Sequence, residues 1–373
     1  MNFQDIKRLE EKYYSRVFSR LPVAIERGEG MYLYDFSGKR YLDMFSGIAV
    51  CSLGHAHPEI IKTIEAQARK LMHVSNWYYT LPQLELAKKL TKLSGLDRVF
   101  ITNSGTEAIE TAIKLVIAAK RKGEIIAMKG SFHGRTLGAL SLTWEEKYRK
   151  PYESVTFKAK FAEYGDISSV KKLISKQTAA IILEPIQGES GVRIPPESFI
   201  PEIRELCSDE DIILILDEVQ TGFGRTGEMF EFQRYNIKPD ILCLAKGLGT
   251  GFPIGAIVFK DELDFEPGLH GGTFSGNPLG CEIAKKVIEV IEKEALVENS
   301  RKIGKYLLDE LLAKGAKARG RGLMIGIDVD NGKEKVLELI DKGVLTIYSR
   351  DTVRVLPPLI INKDHADEFL EKF

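Results

Sequence analysis

Two stretches that are apolar on both faces, Ala-Ala-Ile-Ile-Leu at 179–183 and Ile-Ile-Leu-Ile-Leu at 212–216, constrain the fold of this chain most. A strand with one wet face alternates apolar and polar residues. These two do not alternate, so each needs cover on both sides, as in a parallel sheet flanked by helices. Further short β-branched runs fall at 99–102, 124–128, 241–244 and 254–259, with helical stretches between them. The helical pattern from about 106 to 120 carries Ala108, Ile109, Ala112, Ile113 and Val116 at one-face spacing. This alternation predicts an α/β domain with a largely parallel sheet. Ligands of such sheets bind beyond the carboxyl ends of the strands, so polar residues that follow strands are the candidates for function.

From about residue 277 the pattern changes. Helices are expected at 279–294 and 300–313, then strands at 323–329, 345–347 and 353–356, which together read as a smaller α+β domain. Residues 1–45 hold a helix and a strand pair around 31–34 and 41–43. At ~100–200 residues per domain, a chain of 373 residues suits two domains. The expected division is an N-terminal segment, 1–45, packing with the small domain, a large cofactor-binding domain, 46–276, and a C-terminal small domain, 277–373.

Lys+Arg and Asp+Glu both number 53, so there is no bulk electrostatic case for nucleic acid or an anionic membrane. Cys51, Cys207, Cys243 and Cys281 are far apart and form no C-x-x-C pair. Reduced thiols in a cytoplasmic protein are therefore expected. The first 20 residues lack the apolar core of a signal peptide, and no apolar run approaches the ~20 residues that span a bilayer.

Three segments after strands carry chemistry. The first is N-S-G-T-E at 103–107, where a strand turns into a helix. Backbone N–H groups at a helix start make an anion site, Gly105 allows close approach, and Ser104 and Thr106 add hydroxyls. Alone, Ser104 and Glu107 read better as a capping box. The second is Asp217, at the carboxyl end of 212–216. Opposite a pyridine nitrogen this anion would favour the protonated ring; alone, it reads better as a cap of the next element. The third is Lys246, set between Ala245 and Gly247. Burial would lower its pKa and make the amine nucleophilic; alone, it is one loop lysine among many.

Other readings of these segments fail. G-L-G-T-G at 247–251 leads into a strand, so it is no dinucleotide fingerprint, and G-x-x-x-x-G-K-[ST] is absent. His55 and His57 lie close together, but no further ligands complete a metal site. An anion cradle, an acid and a lysine, in that order and each after a strand, point to pyridoxal phosphate (PLP), whose ring is an electron sink when its nitrogen is protonated.

The whole chain resembles the class III (subgroup II) aminotransferases of the fold-type I, aspartate aminotransferase-like PLP enzymes. The resemblance rests on S-G-I-A-V-x-x-L-G-H at 46–55, N-S-G-T-E-A at 103–108, F-H-G-R-T at 132–136 and E-P-I-Q-G-E at 184–189. It continues in L-D-E-V-Q-T-G-F-G-R-T-G at 216–227, P-D-I-x-x-x-A-K-G-L-G at 239–249 and T-F-S-G-N-P-L at 273–279. It implies that Ser104, Gly105 and Thr106 bind the phosphate and that Phe132 stacks on the ring, with Val219 also at the cofactor. Asp217 would pair with the ring nitrogen and Gln220 with the phenolic oxygen. Lys246 would be the Schiff-base lysine and proton carrier. Thr273 would reach the cofactor of a neighbouring subunit, which implies a homodimer with active sites at the interface.

The resemblance also assigns the substrate side. Arg135 would bind a substrate carboxylate, Arg354 the α-carboxylate of glutamate, and Glu189 would shield Arg354 when an ω-amino donor is bound; Gly272 is expected at the substrate. The alternative reading of Arg354 and Glu189 is a plain structural ion pair. The sequence is closest to the acetylornithine branch, with 2-oxoglutarate as acceptor. Phe18 lies roughly where ornithine-specific members carry a tyrosine, although Tyr13 and Tyr14 are near, and Ser190 and Ser275 replace glycines common in the branch. Competing donors are a lysine linked to an acidic carrier protein, ornithine, 4-aminobutyrate and N-succinyldiaminopimelate. A PLP aminomutase or racemase is opposed by the Glu189 and Arg354 pair. A catalytically silent PLP- or partner-binding protein is opposed by Lys246, Asp217 and Arg135 occurring together.

Overall fold

The computed structural model describes residues 2–120 and 123–373. Its largest sheet has seven strands, in the order Arg98–Thr102, Gly255–Phe259, Ile241–Leu244, Ile213–Asp217, Thr178–Leu183, Glu124–Met128 and Lys160–Ala162. Gly255–Phe259 runs antiparallel to both of its neighbours, and every other pair is parallel. Each residue of Thr178–Leu183 and Ile213–Asp217 is buried.

The two-residue period of a strand divides these apolar runs between two cores. Ile181, Leu183, Leu214 and Leu216 join the core on one side, which the helix Phe199–Asp209 covers with Phe199, Ile203 and Leu206. Ala180, Ile182, Ile213 and Ile215 join the core on the other side, against Ala108, Ile109, Ala112 and Val116 of the helix Gly105–Lys120. Burying each large aliphatic side chain contributes about 1.5–3 kcal/mol. That is why a run with no polar residue is stable only between two helical layers.

A second, antiparallel sheet of four strands follows the order Lys317–Arg321, Met324–Asp328, Thr352–Val355 and Ile347–Ser349. A third joins Ile25–Glu29, Tyr32–Asp35 and Arg40–Asp43 to Val344–Leu345, the last pair being parallel. Two further bonds tie the same chain regions together: Leu356 donates its N–H to the Met44 carbonyl at 2.7 Å, and the Ser46 hydroxyl donates to the Leu356 carbonyl at 2.6 Å.

Several elements differ from expectation. The run 345–347 is not one strand: Val344–Leu345 pairs with Arg40–Asp43, and Ile347–Ser349 pairs with Thr352–Val355. The chain changes sheet at Thr346, which is buried. Local sequence is equally suited to either sheet, and the partners that decide lie far away in the chain. Lys317–Arg321 was not expected, because Lys-Ala-Arg-Gly-Arg has no apolar alternation. It is an edge strand held by its hairpin partner, and charged residues are common at edges. The helix expected from 300 begins at Leu296. Ser300 lies buried within it and donates its hydroxyl to the Arg225 carbonyl at 3.0 Å. Asp217 is the last residue of its strand rather than the first after it. Among the described residues no helix is long and apolar enough to cross a membrane.

Candidate active site

The carboxyl ends of the parallel strands open into a cavity of about 480 Å³. Ser104, Gly105, Thr106, Phe132, Arg135, Glu189, Asp217, Val219, Gln220 and Lys246 all line it. Arg354 lies behind this lining, fully buried, and touches Glu189 and Gln220. Gly272 and Thr273 are exposed and do not line the cavity. Phe18 is also elsewhere, in a groove it shares with Tyr13 and Tyr14 of the N-terminal segment.

The helix Gly105–Lys120 starts at the cavity, so its first N–H groups, which have no partner within the helix, face an anion position. The Ser104 hydroxyl accepts from the Glu107 N–H at 3.3 Å. The Glu107 carboxylate turns to Asn103 instead, accepting from its backbone N–H at 2.7 Å and its side-chain amide at 2.8 Å, so the reciprocal half of a capping box is absent. The Thr106 and Thr136 hydroxyls meet at 2.7 Å and hold this turn to the Phe132–Arg135 loop. A Cβ on Gly105 would stand 2.8 Å from Val219 Cγ1. Glycine here keeps the helix end and Val219 close without filling the space between them.

Asp217 is buried at the strand end. Its Oδ2 lies 2.7 Å from His133 Nδ1, and its Oδ1 accepts from the Val219 N–H at 3.0 Å. His133 Nε2 is buried with no hydrogen-bond partner. A buried carboxylate needs a charge or donor beside it, and His133, which also lines the cavity, fills that need.

Lys246 has a left-handed backbone, φ 44°, which a non-glycine residue adopts only when its surroundings enforce it. Its amine has no hydrogen-bond or ion-pair partner among the described residues. Desolvation pushes the amine below its ordinary pKa; Glu189 opposes this and Arg354 adds to it. An amine poised towards its neutral form is a nucleophile and a proton acceptor.

Glu189 Oε1 lies 2.9 Å from Arg354 Nη1, and Arg354 Nη2 donates to Gln220 Oε1 at 3.1 Å. Burial works against the Glu189 anion, but the charges of Arg354 and Lys246 prevail and hold its carboxyl below the usual range. A Cβ on Gly188 would overlap Gln220 Oε1 at 1.9 Å, so only glycine leaves that amide its place. Arg135 is exposed, with its guanidinium 3.6 Å from the Tyr148 ring centroid and 5.5 Å from that of Phe132.

These groups fit PLP. A helix start suits its phosphate, Asp217 suits a protonated ring nitrogen, Phe132 offers an aromatic face, and Lys246 is an unpaired amine facing the same space. Fold and site thus define an enzyme that handles amines through this cofactor. The family model "Aminotransferase class-III" matches residues 13–373, and the chain belongs to this PLP-dependent family. It is 46% identical to the acetylornithine aminotransferase of Methanocaldococcus jannaschii over 97% of this chain and 95% of that one. It is 47% identical to the acetylornithine aminotransferase of Aquifex aeolicus over 95% and 97% of the two chains. The ornithine aminotransferase of Toxoplasma gondii superposes with a TM-score of 0.96 at 29% identity, covering 100% of this chain and 94% of that one.

Sequence reasoning assigned no role to His133 or Glu184, although both lie inside the motifs it used. Glu184 lines the cavity and joins two loops: its Oε1 accepts from the Phe132 N–H at 2.8 Å and its Oε2 from the Gly188 N–H at 3.2 Å. Burial raises its pKa to about 7, with His133 opposing and Asp217 adding to the rise. The folded protein therefore keeps a proton that the unfolded chain has already released above about 4.5. Stability attributable to Glu184 is present below that value and is lost as pH rises through about 7. Glu184→Gln, which cannot ionise, should gain apparent melting temperature on the cofactor-free wild type by roughly 5 °C between pH 5 and pH 8. A difference that stays constant across that range would show that Glu184 ionises normally.

Proposed function

We propose that this aminotransferase moves the terminal amine of N-acetylornithine to 2-oxoglutarate, giving N-acetylglutamate semialdehyde and glutamate, a step of arginine biosynthesis. The relatives named for acetylornithine support this donor. The observation that carries the reading is the opposite state of two arginines: Arg354 is paired with Glu189 at 2.9 Å, whereas Arg135 has no carboxylate partner among the described residues. A donor that reacts at its ω-amine has no carboxylate at the reacting carbon, and Glu189 then keeps buried Arg354 neutralised. Glutamate does have one, and it can take the place of Glu189. Arg135 stays open for the remote carboxylate that both N-acetylornithine and 2-oxoglutarate possess, and a planar guanidinium suits it.

PLP supplies the sink for the charge released when the C–H bond beside the amine breaks. Ser104, Gly105 and Thr106 would hold its phosphate, and Phe132 and Val219 would give apolar surface to its ring. Asp217, backed by His133, would favour a proton on the ring nitrogen, and Gln220 would serve the phenolic oxygen. Lys246 Nζ would take the proton from the carbon that bears the amine and deliver it to the cofactor's aldehyde carbon, with the reverse transfer in the second half-reaction.

Lys246→Ala should lose turnover by at least ~10³-fold while still binding PLP non-covalently, and borohydride reduction should attach the cofactor to Lys246 in the wild type alone. Near-normal turnover in the variant would remove Lys246 from its role. The donor is tested by kcat/KM with 2-oxoglutarate as acceptor, comparing N-acetylornithine with ornithine, N-succinyldiaminopimelate, 4-aminobutyrate and a carrier-linked lysine. N-acetylornithine should lead the series; preference for the carrier-linked donor would move the enzyme to lysine biosynthesis with an acidic carrier as partner.

We also place the enzyme in the cytoplasm, a reading supported by four free cysteines. We read it as a homodimer in which Gly272 and Thr273 reach the partner's site. Exposed Trp77, Tyr78 and Tyr79, together with Phe274 beside Thr273, support an apolar interface. Light scattering should give about twice the monomer mass of 41.8 kDa, and a stable active monomer would exclude a shared site.

A further inference from the structure

Seven arginines of the described chain stack on aromatic rings. Arg20, Arg27, Arg40, Arg149, Arg193 and Arg321 each also have a carboxylate, amide or carbonyl oxygen within reach. Among the described arginines Arg135 alone has the ring and no oxygen partner. Its guanidinium carbon lies 3.6 Å from the Tyr148 centroid, close enough to sit over the ring face. Tyr148 is half-buried on the one-turn helix Glu146–Arg149 and does not itself line the cavity.

We propose that Tyr148 is a positioning residue for substrate selection: its ring carries the Arg135 guanidinium and leaves the N–H donors of that group free for the substrate's remote carboxylate. The proposal rests on the reading of Arg135 given above. A guanidinium donates in its own plane, whereas a ring attracts it through its face. A carboxylate in place of Tyr148 would hold Arg135 just as well but would compete for those donors, as Glu189 does at Arg354. The ring restrains the long side chain, which otherwise loses rotamer freedom when a substrate fixes it. Phe132, at 5.5 Å, ties the same guanidinium to the aromatic ring expected against the cofactor, so the carboxylate site and the reacting centre share one support.

The probe is N-acetylnorvaline, which keeps the acetyl group and carboxylate of the donor and lacks the reacting amine. Its dissociation constant is measured by titration calorimetry on PLP-loaded enzyme. Tyr148→Leu should weaken binding about tenfold, Tyr148→Phe should stay within about twofold of wild type, and Arg135→Ala should weaken binding by more than either. In turnover, Tyr148→Leu should raise KM for N-acetylornithine and retain most of kcat. The rate of the first half-reaction with 1-aminopentane, an amine with no carboxylate, should not change. If Arg135→Ala loses the probe and Tyr148→Leu binds it as wild type does, the role of Tyr148 is overturned and Arg135 keeps its own. If neither variant changes binding, the carboxylate role of Arg135 falls first and the proposal with it.

Discussion

The site depends on one carboxylate in a dry place. Asp217 closes a strand in which every residue is buried, and a carboxylate taken from water into such surroundings is costly without a partner. His133 meets it at 2.7 Å from one side and the Val219 N–H at 3.0 Å from another. These contacts fix the orientation of the acid and the backbone of the turn that carries Val219 and Gln220. The same turn supplies the amide that receives Arg354. The parallel sheet is thus more than a scaffold, because its dryness makes Asp217 demanding and that demand organises the residues around it.

The cavity then separates two tasks for positive charge. Arg354 is fully buried, and an unpaired guanidinium there would be strongly unfavourable; Glu189 supplies the opposing charge and Gln220 accepts from its Nη2. Arg135 is exposed, so no partner is required, and stacking restrains it without satisfying its donors. Lys246 faces the same space, and its amine is pushed below its ordinary pKa first by desolvation, with Arg354 adding to the effect and Glu189 opposing it. In the proposed exchange of Glu189 for a substrate carboxylate, one negative charge would stay beside Arg354, and the electrostatics around Lys246 would be similar for both half-reactions.

Much of this was legible in the sequence, and the limits have a physical cause. The runs 179–183 and 212–216 were visible because burial on both faces removes polar residues from the interior of a strand. Gly105, Asp217 and Lys246 were visible because they end or follow strands in order, whereas Phe132, Arg135, Glu189 and Gln220 were named only through the family motifs. Contacts across long stretches of chain were not: Glu184 reaches Phe132 across 52 positions, and Asp217 reaches His133 across 84. The motifs included Glu184 and His133, but only proximity gives those side chains a task. The sheet change at Thr346 was illegible for the same reason. Tyr148 lies in a segment with no periodic signal at all, and its ring acquires meaning only from the guanidinium above it.

Strain concentrates where these parts meet. Ser46, Gly47, Ile48 and Ala49 all have positive φ, 45°, 64°, 65° and 63°, a left-handed turn that includes three non-glycine residues. Lys246 and Thr250 are also left-handed, both at 44°. Such residues cost of order 1–3 kcal/mol each and persist only where their surroundings over-determine them. Here the two strained segments hold each other: the Ser52 hydroxyl donates to the Gly247 carbonyl at 3.0 Å, and Thr250 Oγ1 accepts from the Leu53 N–H at 3.0 Å. Val50 at the end of one segment and Lys246 in the other both line the cavity. A relaxed turn at either place would move a cavity wall, so the strain keeps Lys246 aimed at the cofactor position, and the bonds between the two loops keep the strain in place.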